Sequence, residues 1–579
     1  MRPLNFLRQP KTLIIFVVAM LIIYIPLFSN QFISLDDPTL IVNNPLLQTV
    51  SFGNIWQMLT SFDPELYVPL TSLSYLVDRI LFQLSSFGVH LTNLLMHIAN
   101  AILVGWFALK VSKRRSIALL VMIFFAVHPI QTEAVAWASA RKDLLSSFFF
   151  LLSINFYLSY KDGASKRWYL GSLAFFLCAL LSKVSVAFLP IALLLFCKKN
   201  WKELIPYFCL SVLFGIIALF GKGDAVGSGA MVESLLIIPK SITFYLWKLT
   251  VPTGLSLLYP QAEAITFTSL EFQFPLIFLV IISAIIFLWK KWSKAPLFWW
   301  LFFLIALTPS FFASHRGEKY LDVYFASDRY VYLASIAFFM ISALIVNYLA
   351  ANFRKQKMVV WGLAGVIVLI LSVITYGQVG LWQNSGTLYR HVLNYYPKAH
   401  IAKTGMGNYY REQKRFEDAI AAYRSSLKIQ ETAEAAYNLG VVLNRTGRIP
   451  DALEAYEKAI EINPNFAAAY LNIGAIYIKT NRPQDAVEYF LKVTEIDADA
   501  ADPYFNLGVA YALQELDQEA IEAFETFLRR EPNRFGIVAM RLAKLYIKTG
   551  RSEDAKVILD QVLQIDQENE EASELIKNI

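Results

Sequence analysis

Residues 11–45 read KTLIIFVVAMLIIYIPLFSNQFISLDDPTLIVNNP. After Lys11 the run to Phe28 carries no charge. A helix of about 20 apolar residues crosses the hydrocarbon of a bilayer. No small-residue cleavage site follows, so the run is read as an uncleaved anchor with Arg2 and Arg8 on its cytoplasmic side. Two adjacent carboxylates, Asp36 and Asp37, then stand just beyond its far end. A membrane helix delivering an acidic pair to the opposite surface is the pattern from which the rest of the chain is read.

Working outward, ten more apolar segments are expected to span: about 89–110, 116–130, 143–160, 168–182, 184–197, 203–220, 272–290, 296–311, 329–350 and 358–376. The basic runs fall between them. Lys113 to Arg115, Lys161 to Arg167, Lys198 to Lys202, Lys290 to Lys294 and Arg354 to Lys357 all lie on the cytoplasmic side if eleven segments cross. The C-terminal third then lies on the outer face, as do two long loops, 29–88 and 221–271. Residues 234–251 are apolar enough to span, but counting them would carry two of the basic runs outside; they are read as interfacial or re-entrant.

Composition agrees with this division. Of 579 residues, 56% are hydrophobic and only 17% charged, with mean hydropathy +0.46. A wholly soluble enzyme and a disordered chain are excluded. Three cysteines exclude a disulfide scaffold. Residues 398–579 hold 22 bases and 29 acids, and the remainder 30 and 16. The net +7 therefore comes from basic runs between apolar segments and is no signature of nucleic-acid binding.

The acidic third repeats itself. Gly407, Gly440, Gly474 and Gly508 recur at intervals of 33, 34 and 34 residues. Ala419, Ala452, Ala486 and Ala520 follow twelve residues after each, and Tyr423, Tyr456, Phe490 and Phe524 sixteen after. A fifth unit carries Ala543, Ala555 and Leu559. This period and pattern resemble the tetratricopeptide repeat, a helical hairpin stacked into a solenoid with a concave binding face. The expected fold is therefore all-α: a polytopic membrane domain over 1–380, a linker helix over 381–397, and about five repeats over 398–579. The aromatics are expected to fill the gap to the next repeat. The concave face is expected to dock a protein or peptide; the alternative is a spacer.

Charge at the ends of apolar segments is expensive and marks candidate sites. One of the Asp36–Asp37 carboxylates suits a general base, and the other orients it or holds a divalent cation; simple solvation is the alternative. The stretch HPIQTEAVAWASARKD supplies His128, Glu133, Arg141, Lys142 and Asp143. Arg141 and Lys142 run against the topology rule, which points to an anion; interfacial snorkelling is the alternative. Lys183 interrupts LLSKVSV, and a third cluster holds His315, Arg316, Glu318, Lys319, Asp328, Arg329 and Tyr330. Arg at such a place binds a phosphate by a bidentate fork, or Asp328 and Arg329 form an interfacial ion pair. No motif of metal, nucleotide or serine-hydrolase chemistry stands in a supporting context.

LDDPTLIVNNP (35–45), YVPLTSLSY (67–75), HPIQTEAVAWASARKDLLSSFFFLLS (128–153) and SDRYVYLAS (327–335), with the repeats, resemble the GT-C superfamily of membrane glycosyltransferases. The closer resemblance is to the transmembrane and tetratricopeptide-repeat O-mannosyltransferase-like family, of bacterial type. It implies an inverting transfer of a hexose such as mannose from a polyprenyl-phosphate donor to protein hydroxyls. It makes Asp36 the base with Asp37 beside it. It makes Arg329, Arg141, Lys142 and Lys183 candidates for the donor phosphate, and His128, Glu133, Asp328 and Tyr330 for the sugar pocket or for bracing the first loop. No cofactor is required beyond a possible divalent cation at Asp36 and Asp37. The implied location is a bacterial inner membrane with periplasmic repeats. The partners are lipid donor, acceptor protein and membrane lipids, not nucleic acid. The rival readings are a lipid-linked glycan ligase or polymerase, a transporter, and a non-catalytic scaffold.

Overall fold

The computed structural model describes residues 10–62, 66–197, 201–222, 230–261, 265–291, 293–311 and 324–579. His315, Arg316, Glu318 and Lys319 lie outside them. The described chain is all-α; its one bridge of extended backbone pairs Pro260 with Tyr324. It falls into two compact units, Met1–Gly405 and Met406–Ile579.

Each of the eleven expected apolar segments is helical in the first unit. They are unequal, however. Six described helices are long and apolar enough to cross a bilayer: Ser86–Ser112, Ala138–Lys161, Trp201–Gly221, Leu270–Trp289, Ser335–Asn352 and Arg354–Gly380. A seventh crossing is bent by 55° between Arg115–Val127 and Pro129–Ala136. Lys11–Ile23, Val184–Leu194 and Ala295–Phe311 are apolar but shorter, as is Lys166–Ser182. The expected count of eleven spans is thus six or seven by length and composition among the described residues.

The breaks have local causes. Pro129 cannot donate to the preceding turn and forces His128 into extended backbone. Lys183 is also extended and separates Lys166–Ser182 from the turn Val184–Phe188. Both breaks turn polar side chains out of apolar helices. Ala230–Thr250, covering most of the ambiguous segment 234–251, forms one helix with Pro239 inside it. Lys240 and Lys248 interrupt its apolar sequence.

Residues 29–88, expected as a loop, are largely helical: Pro38–Val42, Pro45–Gln48, Phe52–Thr60 and Pro69–Phe82. Ile41, Leu47, Met58, Tyr75, Leu76, Leu84, Val89 and Ala138 form one apolar cluster beneath them. This small core makes the first loop a rigid cap.

The second unit stacks helical hairpins, from Phe416–Leu427 through Ala433–Arg445 and Ile449–Ile462 to Phe535–Lys548 and Ser552–Ile565, closed by Glu570–Lys577. The repeat glycines sit where two helices meet. A methyl on Gly440 would stand 2.7 Å from the Tyr456 ring, and one on Gly474 2.5 Å from Phe490. Each aromatic therefore fills the space opposite the glycine of its own hairpin, where the sequence pattern placed it between repeats.

Candidate active site

The break at His128–Pro129 starts a tight, buried turn running to Arg141. His128 caps it: Ile130 N–H donates to Nδ1 (3.2 Å), and Nε2 lies 3.1 Å from the carbonyl of Leu249. Both ring nitrogens are thereby used in holding the turn against helix Ala230–Thr250. His128 braces that helix rather than the first loop.

Asp37 is fully buried. One oxygen accepts from Ile33 N–H (2.8 Å), the other from Ser139 N–H (2.9 Å). It buckles the first loop onto the 128–141 turn. Burial pushes its carboxyl up to about 6, against those two backbone donors. Asp36 is different: it is half-buried, and no described residue bonds its carboxylate. Asp37 thus holds the loop and leaves Asp36 as the partly exposed carboxylate of the pair. Among the described residues this donor set does not fit a divalent cation. Asp37 is closed off, no group of three His, Cys, Asp or Glu side chains forms among the described residues, and the cations Lys142 and Arg329 lie within electrostatic reach of Asp36.

Those cations come from three separate elements. Lys142 begins the Arg141–Lys161 helix, is half-buried, and has no ion-pair partner among the described residues. It lies within electrostatic reach of Lys183, Arg329, Asp36 and Asp143. Lys183, at its extended break, pairs with Asp143 at 2.5 Å and lies 5.7 Å from the centre of the Tyr330 ring. Arg329 donates from Nη1 to Glu133 (2.6 Å), while its own backbone N–H donates to the other Glu133 oxygen (3.3 Å). Its guanidinium lies 4.4 Å from the Trp137 ring centre and 5.1 Å from that of Tyr330, and its side chain is 17% exposed. Burial works against its charge, but Glu133, Tyr330, Asp143 and Asp36 together push its pKa above the ordinary value. Asp36, Lys142, Lys183, Arg329 and Tyr330 therefore gather in one neighbourhood, with Glu133 and Asp143 behind them.

Two of the proposed residues turn elsewhere. Arg141 is fully buried and spent. It pairs with Asp78 at 2.5 Å, donates to Asn93 (2.8 Å) and to the carbonyls of Ser74 and Val89, and stacks over Tyr75. Such a guanidinium cannot also take a substrate phosphate; it ties helix Pro69–Phe82 to Ser86–Ser112. Asp328 does not pair with Arg329. It accepts from Tyr259 Oη–H (2.9 Å), and burial together with the Glu133 carboxylate pushes it well above the carboxylate range. Ser327, between these turns, donates to Glu133 (2.6 Å) and is gripped on its backbone by Tyr245.

Asp78, Asn93, Trp137, Tyr245, Tyr259 and Ser327 are the supporting residues that sequence reading passed over. Asp78 carried a signal, an acid in an otherwise apolar helical stretch. Tyrosines and tryptophans abound in this chain and gave none. Trp137 also stacks on Trp382, with ring centres 6.1 Å apart, so that it backs the Arg329 guanidinium from a fixed position.

Comparison with known proteins follows the same division. Family models described as tetratricopeptide repeat match residues 377–435, 404–467, 443–507, 501–534 and 518–579. A solved tetratricopeptide-repeat protein, YrrB, described as having an unusual peptide-binding site, is 19% identical; the match covers 33% of this chain and 97% of that one, with a TM-score of 0.30. A Caenorhabditis elegans protein O-mannosyl-transferase is 24% identical over 499 residues, which cover 79% of this chain and 63% of that relative. Human protein O-mannosyl-transferase TMTC1 is 30% identical over 208 residues, 34% of this chain and 22% of that protein. The matches span less than two thirds of either relative's length. The chain is a membrane protein with a C-terminal tetratricopeptide-repeat array, and its homologues include the protein O-mannosyl-transferases.

Proposed function

We propose that this chain is a membrane glycosyltransferase that moves a hexose from a polyprenyl-phosphate donor to a hydroxyl of a protein acceptor. The observation that carries the reading is the Asp36 carboxylate, without a hydrogen-bond or ion-pair partner among the described residues, within electrostatic reach of the cations Lys142 and Arg329. The acceptor oxygen attacks the sugar's anomeric carbon on the face opposite the phosphate. Its proton passes to Asp36. The bond from the anomeric carbon to the phosphate oxygen breaks, and polyprenyl phosphate leaves with the bonding pair. Configuration inverts. Charge develops on the departing phosphate, where Lys142 and the outward edge of Arg329 stabilise it in a water-poor setting. Lys183 contributes from its pair with Asp143. Glu133 and Trp137 fix Arg329, and Asp37 fixes Asp36. In this reading the site faces the extracytoplasmic side, in keeping with the distribution of basic loops, and the repeats dock the acceptor, as helical solenoids do.

The test uses purified protein in detergent with synthetic polyprenyl-phosphate hexoses and an acceptor extract. Released polyprenyl phosphate is read by mass spectrometry. Asp36→Asn is expected to lower turnover by about 10²-fold or more, the scale of a lost general base, with its thermal unfolding unchanged. Turnover indifferent to Asp36→Asn overturns the mechanism.

A further inference from the structure

Between Asp37 and Asp63 the chain contains no Asp, Glu, Lys or Arg. An uncharged run of that length is unusual for a segment outside the crossing helices. In its middle lies the helix Phe52–Thr60, capped by Ser51, whose side chain accepts from Asn54 N–H. At about 100° per residue this helix divides into three sectors. Met58 and Asn54 face the protein: Met58 is buried in the apolar cluster, and Asn54 donates to the carbonyls of Leu46 and Thr49. Gly53, Gln57 and Thr60 form an exposed polar sector. Phe52, Trp56 and Leu59 form an exposed apolar sector, with Phe52 81% and Trp56 60% exposed.

A helix with one side on protein, one polar and one apolar is suited to the boundary between water and lipid, where Trp and Phe concentrate. The neighbouring elements say which medium covers the apolar sector. Helix Pro69–Phe82, which packs on Phe52–Thr60, exposes Val77, Ile80 and Leu81. The crossing helix Ser86–Ser112 next to it exposes Phe87 and Leu95. Exposed apolar side chains are thus also found on the two helices that follow along the chain, Pro69–Phe82 and the span Ser86–Ser112, whose outer side meets lipid.

We propose that helix Phe52–Thr60 lies in the membrane–water interface, with Phe52, Trp56 and Leu59 among the lipid chains and Gln57 in water. The same helix is bound, through the cluster of Met58, Ile41 and Ala138, to the two segments that Asp37 buckles together. Its seating in the lipid therefore fixes the depth of Asp36. That second consequence rests on the proposed transfer from a lipid-borne donor, whose phosphate lies at the headgroup level.

The experiment places single nitroxide labels through Phe52→Cys, Trp56→Cys or Gln57→Cys in the full chain, with Cys178, Cys197 and Cys209 replaced by Ser. The protein is held one copy per nanodisc of phosphatidylethanolamine and phosphatidylglycerol. Labels at 52 and 56 are expected to collide with dissolved oxygen far more than with a water-soluble nickel chelate, and the label at 57 the reverse. Nickel access at 52 and 56 equal to that at 57 overturns the proposal, and so does immobilisation with access to neither, which means a protein surface covers the face. Asp at both 52 and 56 is expected to lower turnover about tenfold, while Phe52→Leu with Trp56→Phe keeps it. Unchanged turnover with Asp at both sites overturns the depth role. If no form of the chain transfers sugar, the functional reading fails, and the label positions still decide where the helix lies.

Discussion

Adjacent carboxylates take opposite fates here. Asp37 receives two backbone N–H groups in a dry turn, and the Asp36 carboxylate receives none among the described residues. Unfolded, Asp37 gives up its proton near 3.8; folded, near 6. Between about pH 4 and 6 the native chain keeps a proton that the unfolded chain has lost. The contribution of Asp37 to stability therefore falls as pH rises through that window, by roughly 3 kcal/mol in all, and is level above it. Thermal unfolding of the wild type should show this fall between about pH 4 and 6, and Asp37→Asn should remove it. That variant should also melt lower at pH 7, because an amide nitrogen would face one of the two backbone donors, at a cost of about 1–3 kcal/mol. Arg141→Gln should be more damaging, about 3–5 kcal/mol, since it strands Asp78 in a dry site. Its loss should appear in melting temperature and yield, whereas Arg329→Lys, which keeps a cation against buried Glu133, should lower turnover with a smaller loss of stability. Chelation with EDTA should leave turnover unchanged, because one reachable carboxylate among cations is a poor seat for a divalent ion.

Elements in this chain are decided as much by where helices stop as by where they run. The breaks at His128–Pro129 and Lys183 place the site's turn and one of its cations. In the repeats the small residues matter by contact. Gly440→Ala sets a methyl 2.7 Å from the Tyr456 ring and should destabilise by about 1–3 kcal/mol despite its better helix propensity. Gly536→Ala meets nothing within 4 Å and should be neutral or slightly stabilising. The pair separates packing from propensity in one melting experiment. The closing helix Glu570–Lys577 covers Ala539, Ala543 and Leu559 with Ala572, Leu575 and Ile576. Truncation before Glu570 should lower the array's melting temperature by roughly 5–10 °C.

At the scale of the whole molecule, two units with separate cores share one chain. The apolar clusters of the repeats are made from residues of Met406–Ile579 alone. That segment expressed by itself should be soluble, helical by circular dichroism and cooperative in unfolding; a disordered product would show that its stability depends on the membrane unit. The membrane unit keeps its exposed apolar side chains on helices such as Leu270–Trp289 and Arg354–Gly380, which are almost wholly unburied within the protein. Lipid is the medium that covers them.

Features that depend on spacing along the chain are visible in the residues before any fold is known. Apolar run length marked the membrane helices, a period of 34 residues marked the repeats, and the topology rule singled out Arg141 and Lys142 as basic residues out of place. Tertiary structure alone decided which of two neighbours is free and which is spent. Asp36 and Asp37 are the same residue type side by side, and Arg141 and Lys142 are adjacent cations. Their difference comes from backbone donors and ion partners far away in sequence, Ser139 for Asp37 and Asp78 for Arg141. The same holds for Arg329, which pairs with Glu133 from the distant turn and not with adjacent Asp328. Charge placement is legible in one dimension. Whether a buried charge is already compensated depends on distances that only the folded chain sets.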